Sequence, residues 1–108
     1  MVKSITISPE QLQTLAATIA ARCDVERVVL FGSRARNAAA TDSDVDLAVV
    51  LPEGADVRAS LRVIQRALWP RPFPVDVMPI SIQAWRNRRG YLVREIADHG
   101  VTLYEHAP

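Results

Sequence analysis

The chain has one cysteine (Cys23), one lysine (Lys3) and no apolar stretch approaching the ~18 residues of a membrane span. A lone cysteine excludes an internal disulfide and fits a reducing compartment. Its position at the end of an apolar helical stripe reads as a small buried hydrophobe rather than a nucleophile. With no membrane span and no signal-peptide pattern at the N-terminus, a cytoplasmic location is expected. A net charge of +1 excludes a general attraction to nucleic acid or membrane, so direct nucleic-acid binding is not expected. Only one of the 13 basic residues is lysine. Arginine therefore carries the positive charge, which reflects either fork-shaped recognition of phosphate or carboxylate or a GC-rich genome. Repeats, low-complexity tracts and internal linkers are absent. The 108 residues are expected to form one domain, residues 1–108, around a single modest core. The composition, 49% hydrophobic and 23% charged, is that of a globular protein.

Local patterns predict alternating helices and strands. Ser8-Pro9-Glu10-Gln11 combines a capping serine, a first-turn proline and a glutamine placed for a capping box. Leu12, Leu15, Ala16, Ile19, Ala20 and Cys23 then repeat at helical spacing. Val28 to Phe31 reads as a short buried strand, and residues 34 to 43 as one helical turn plus a loop. Asp44 to Leu51 is a second strand, closed by Pro52-Glu53-Gly54. Val57, Leu61, Ile64 and Leu68 mark an amphipathic helix that ends at Pro70, Pro72 and Pro74. Val75 to Ile80 is a third strand, and Pro79 points to a sheet edge or strand end. One helical stretch capped by Ser81 takes in Trp85, Leu92, Val93, Ile96 and Ala97 and stops at Gly100. Val101 to Tyr104 is a last strand. This order predicts an α/β (α+β) class, with a small mixed sheet of three to four strands and helices packed on it.

The chemistry concentrates in residues 32 to 46. Within a strand, Asp44 and Asp46 project from one face while Val45 and Leu47 point the other way. Their Cα atoms would be roughly 6–7 Å apart, a spacing that lets both carboxylates converge on divalent metal. Hard oxygen ligands suit Mg²⁺, and phosphoryl-type transfer uses two such ions about 3.5–4 Å apart. A third carboxylate is wanted on a neighbouring strand, and Asp76, between Val75 and Val77, is the candidate. A charge buried in that apolar setting would be costly unless paired or metal-bound. Gly32 allows a sharp turn and close backbone approach, and the Ser33 hydroxyl can meet a phosphate oxygen. Arg34 and Arg36 either reach the triphosphate, Arg36 being preferred, or are simply solvated.

Two other acidic motifs fit less well. Asp42, Asp44, Asp46 and Glu53 match a calcium-binding loop, but Leu47 stands where the required Gly would turn the chain. In phosphatase-type Asp-x-Asp sites the hydrophobic strand precedes the acids, whereas here it follows them. His99, beside Gly100, reads as an offset to a helix dipole, and His106 as part of a frayed tail. Trp69 and Trp85 read as core or rim anchors. Arg86, Arg88 and Arg89 are either a solvated helix face or a cluster that meets an acidic patch on a partner.

Gly32-Ser33, ten residues, then Asp44-Val45-Asp46 resembles the signature of the nucleotidyltransferase superfamily that includes DNA polymerase beta. The Gly-Ser-Arg-Ala-Arg and Ser-Asp-Val-Asp-Leu segments are most similar to the minimal nucleotidyltransferase (MNT) domains. The tail from Tyr91 to Glu105 is similar to theirs as well. The resemblance implies a polymerase beta-like fold, two Mg²⁺ ions and ATP as substrate. It implies Asp44, Asp46 and Asp76 as catalytic metal ligands, with Gly32, Ser33, Arg34 and Arg36 binding nucleotide. It further implies an antitoxin that transfers AMP to a hydroxyl, tyrosine being expected, of a HEPN-type toxin partner in a hetero-oligomer. With no residues left over for an acceptor domain, the acceptor is expected on another protein. Neutralisation by binding alone and transfer to a small molecule are the alternatives.

Overall fold

The computed structural model describes residues 7–32, 35, 45–70 and 73–107. The elements run α1 (Pro9–Arg22), β1 (Arg27–Phe31), β2 (Val45–Leu51), α2 (Val57–Ala67), β3 (Val75–Ser81), α3 (Ile82–Arg86), α4 (Gly90–His99) and β4 (Val101–Glu105). The strands form one mixed sheet in the order β3-β2-β1-β4. β2 is parallel to β3, while β1 is antiparallel to both β2 and β4. The α/β (α+β) class and the four-stranded mixed sheet are as expected. Pro79 does lie on an edge strand, where its missing N–H costs no ladder bond on the open side. No helix among the described residues is long and apolar enough to cross a membrane.

α1 begins where local chemistry directs it. The Ser8 hydroxyl accepts from the Gln11 N–H at 3.1 Å, and the Gln11 side chain accepts from the Ser8 N–H at 2.8 Å. Together they satisfy two of the donors that a helix start leaves open. Asp56 caps α2 similarly, accepting from the Ala59 N–H at 3.0 Å.

β2 is paired on both edges and covered on both faces, which explains its continuous apolar run. One row, Val45, Leu47, Val49 and Leu51, packs with Ala16 and Ile19 of α1 and with Ile64 and Leu68 at α2. The opposite row, Ala48 and Val50, packs with Ile82 of α3 and Val93 and Ile96 of α4. Each Val or Leu removed from water there contributes about 1.5–3 kcal/mol of transfer free energy.

Several expectations are corrected. The single helix from Ser81 to Gly100 is two helices, broken at Asn87-Arg88-Arg89. Arg88 (φ +53°) and Gly90 (φ +83°) both occupy left-handed backbone. The turn is held by the Arg88 and Arg89 N–H groups donating to Trp85 and Ala84 carbonyls at 3.3 and 3.0 Å. A straight helix over that span would be about 27 Å long, more than the roughly 23 Å of a seven-residue strand, so a turn keeps both apolar faces on the sheet. Cys23 is only half-buried because it follows the last residue of α1. Val57, the first residue of α2, is exposed rather than part of the buried stripe. Trp69 does not join the core either, being 73% exposed. Residue 106 is not frayed: its N–H donates to the Glu26 carbonyl at 2.9 Å. The expected turn and loop over 34 to 43 lie, apart from Ala35, outside the described residues.

Gly100 stops α4 through space rather than conformation, its φ being −72°. A Cβ there would fall 2.5 Å from both the Ile96 carbonyl oxygen and Val29 Cγ1, and 3.1 Å from the Leu30 carbonyl oxygen. Backbone cannot yield as a flexible side chain would. Gly100→Ala should therefore destabilise the protein by about 2 kcal/mol, read as a lower denaturation midpoint at unchanged m-value.

Candidate active site

Strand register assembles the site. Phe31 at the end of β1 pairs with Asp46 near the start of β2, and Asp46 pairs with Asp76 near the start of β3. Laterally paired residues project from the same face, and neighbouring strands are about 4.8 Å apart. Phe31, Asp46 and Asp76 therefore form one row across three strands, on the face that α3 and α4 partly cover. Asp46 is half-buried. Asp76 is exposed rather than buried, because β3 is the edge strand and its apolar flanks do not enclose the carboxylate.

Gly32 follows directly on this row with φ +81°, a left-handed turn that glycine adopts without strain. The sharp turn is as expected, and the close neighbour is protein. A Cβ at position 32 would lie 2.5 Å from Asp46 Oδ2. The Asp46 carboxylate thus occupies the space that a side chain at 32 would need.

The structure brings together Gly32, Asp46 and Asp76. The other expected site residues, Ser33, Arg34, Arg36 and Asp44, lie outside the described residues. Among the described residues no three His, Cys, Asp or Glu side chains converge as a metal-ligand set. Asp46 and Asp76, side by side on one face, are the pair able to hold a hard cation such as Mg²⁺. Their partial exposure leaves room for the waters that Mg²⁺ retains.

A cleft of about 250 Å³ adjoins this row. Phe31 and Gly32 line one side, and Tyr91, Leu92, Glu95 and His99 of α4 line the other. This is smaller than the roughly 300–1,000 Å³ of a typical small-molecule pocket, so it suits part of a ligand rather than a whole one. The sequence reading did not single out these α4 residues as site-lining. Their signal was the spacing of Tyr91, Glu95 and His99, four residues apart on one helix face. Trp85 has the anchoring role expected of it, lying 5.5 Å from the Arg27 guanidinium and 5.8 Å from that of Arg88.

Residues 12–103 match the family model of the nucleotidyltransferase domain. The chain belongs to that family. Nucleotidyl transfer is therefore its reaction class, and the minimal nucleotidyltransferase resemblance is supported. Three solved structures share the fold. A protein of Sulfolobus solfataricus assigned as a nucleotidyltransferase superposes with a TM-score of 0.64 at 19% identity, covering 91% of this chain and 80% of that one. A mutant of the toxin–antitoxin MntA–HpeT gives a TM-score of 0.58 at 16% identity, covering 93% and 75%. A toxin–antitoxin structure with AMP-PNP gives 0.59 at 18% identity, also covering 93% and 75%. At these identities the likeness is one of fold. No curated protein matches the chain significantly in sequence.

Any side chain at position 32 must displace the Asp46 carboxylate. Gly32→Ala should weaken Mn²⁺ or Mg²⁺ binding by about 10–100-fold, measured by calorimetric titration. Unchanged metal affinity would show that Asp46 does not depend on the space at Gly32.

Proposed function

We propose that this chain is a cytoplasmic, Mg²⁺-dependent protein adenylyltransferase that moves AMP from ATP to a tyrosine hydroxyl of a HEPN-type toxin, and so acts as its antitoxin. The observation that carries this reading is the Asp46–Asp76 pair registered beside Gly32, within a chain of the nucleotidyltransferase family. Toxin–antitoxin assemblies and an ATP analogue among the structures of similar fold support the toxin partner and the nucleotide.

Each residue then has a chemical task. Asp44 and Asp46 would hold two ions, and Asp76 would hold one of them and accept the proton of the acceptor hydroxyl. When bound, the ions neutralise charge on the triphosphate and on the attacking and leaving oxygens. Gly32 and Ser33 hold the triphosphate from the backbone and hydroxyl side, with Arg36 and Arg34 countering its charge. The hydroxyl oxygen bonds to the α-phosphorus, the bond from the α-phosphorus to the bridging oxygen of the β-phosphate breaks, and pyrophosphate leaves. The placement of Asp76 favours a protein acceptor. It is exposed on an edge strand, where a large partner can reach it.

Incubation with α-labelled ATP, Mg²⁺ and the HEPN toxin should label the toxin and release pyrophosphate. Asp46→Asn and Asp76→Asn should each reduce labelling at least about 100-fold, as expected when a metal-holding carboxylate is lost. Labelling that survives both substitutions would refute the mechanism. Protection of cells by the doubly substituted chain would instead identify an antitoxin that works by binding alone.

A further inference from the structure

The sheet face opposite the carboxylates is covered by α1 and α2, and α2 turns a basic stripe outward. Arg58, Arg62 and Arg66 are all exposed and recur at every fourth residue, one above the other along the helix. Ile64 and Leu68 point the other way into the core. None of the three arginines meets a carboxylate among the described residues, where the ion pair is Arg27–Glu105 at 3.0 Å.

The stripe ends at Trp69, whose 73% exposure is unusual for the largest apolar side chain. Arg62, Arg66 and Trp69 line one cleft of about 360 Å³. On its other flank Trp69 borders a second cleft, of about 350 Å³, between α1 and α2, lined in part by Leu15, Leu68 and Phe73. A basic cleft and a partly apolar cleft thus share one exposed tryptophan as their wall. Arginine and tryptophan are the residues that most often dominate protein–protein binding energy.

We propose that this face of α2 docks an amphipathic helix of a partner protein. An acidic row of that helix lies along Arg58, Arg62 and Arg66, and an adjacent apolar row lies against Trp69 and the groove between α1 and α2. The arginines rise about 6 Å per step, the interval at which carboxylates at every fourth residue recur along a helix. Charge complementarity sets the orientation of the helix, and burial of Trp69 supplies apolar area. A nucleic-acid strand fits less well, because a chain of net charge +1 and pI near 8.0 lacks a broad basic field and phosphates gain nothing from Leu15, Leu68 and Phe73 in the groove. The docking face is separate from the Asp46 row, so it does not depend on the proposed transfer reaction.

The test uses the full chain and a helix-stabilised peptide of about five turns, with Glu at every fourth position and Leu on the adjacent row. A peptide with Lys in place of Glu and a single-stranded RNA of equal negative charge serve as comparisons. The Glu peptide should bind and the Lys peptide should not, and added salt should weaken the complex. Arg62→Glu with Arg66→Glu should weaken binding at least about tenfold, and Trp69→Ala should do likewise. All three positions are solvent-exposed, so thermal melting should be nearly unchanged and confirm that the variants fold. Failure of the Glu peptide to bind, equal binding to the Arg62→Glu, Arg66→Glu variant, or tighter binding of the RNA would each overturn the proposal.

Discussion

The register of β2 against its two neighbours is the constraint on which the rest of the site depends. Val45, Leu47, Val49 and Leu51 fill one core, and Ala48 and Val50 fill the other, so Asp46 is the single polar side chain of the strand. A slip of one residue would exchange the faces and drive the Asp46 carboxylate into the apolar layer under α1 and α2. Burying that charge without partners would cost far more than any single packing contact returns. The same hydrophobic pattern that stabilises the sheet therefore aims Asp46 at one face and sets it between Phe31 and Asp76. Gly32 completes the arrangement by leaving the carboxylate the volume a side chain would have filled.

How much of this was legible in the sequence depended on how local each determinant was. The start of α1 was readable because Ser8 and Gln11 need only each other. That Val45 and Leu47 point away from Asp46 followed from strand alternation, and the turn at Gly32 from residue type. Asp76 was the expected third acid, and strand register sets it beside Asp46, but its exposure was not foreseen, because that depends on β3 lying at the edge of the order β3-β2-β1-β4. Strand order is a non-local property, and Pro79 was its one local trace. The break between α3 and α4 was hidden because apolar spacing continues across it, although Asn87 and Gly90 mark the turn. Trp69 read as a core or rim anchor, and the register of α2 that buries Ile64 and Leu68 leaves it outside the core. Four of the seven expected site residues, Ser33, Arg34, Arg36 and Asp44, fall outside the described residues, so the folded geometry places Gly32, Asp46 and Asp76 alone.

The break between α3 and α4 also shapes the site. Ile82, Val93 and Ile96 reach the sheet at Ala48 and Val50, so the helices cover the middle of this face rather than the row at its end. α4 then becomes a side wall, placing Tyr91, Leu92, Glu95 and His99 across a cleft from Phe31 and Gly32. A single uninterrupted helix could not provide both the cover and the wall. The close approach that Gly100 permits between α4 and β1 brings that wall near the end of the strand where Gly32 turns.

Openness is the remaining physical problem of such a site. Electrostatic stabilisation of a developing charge is strongest where water is excluded, and an exposed Asp76 on an edge strand does not exclude it. A pair of partly solvated carboxylates can keep a hydrated cation, but left open it would also admit water as a competing acceptor. A protein acceptor answers both needs, because the surface that presents the hydroxyl also covers the carboxylates as it docks. Under the proposed transfer, the exposure of Asp76 thus fits a macromolecular substrate, whose docked surface would supply cover on that side.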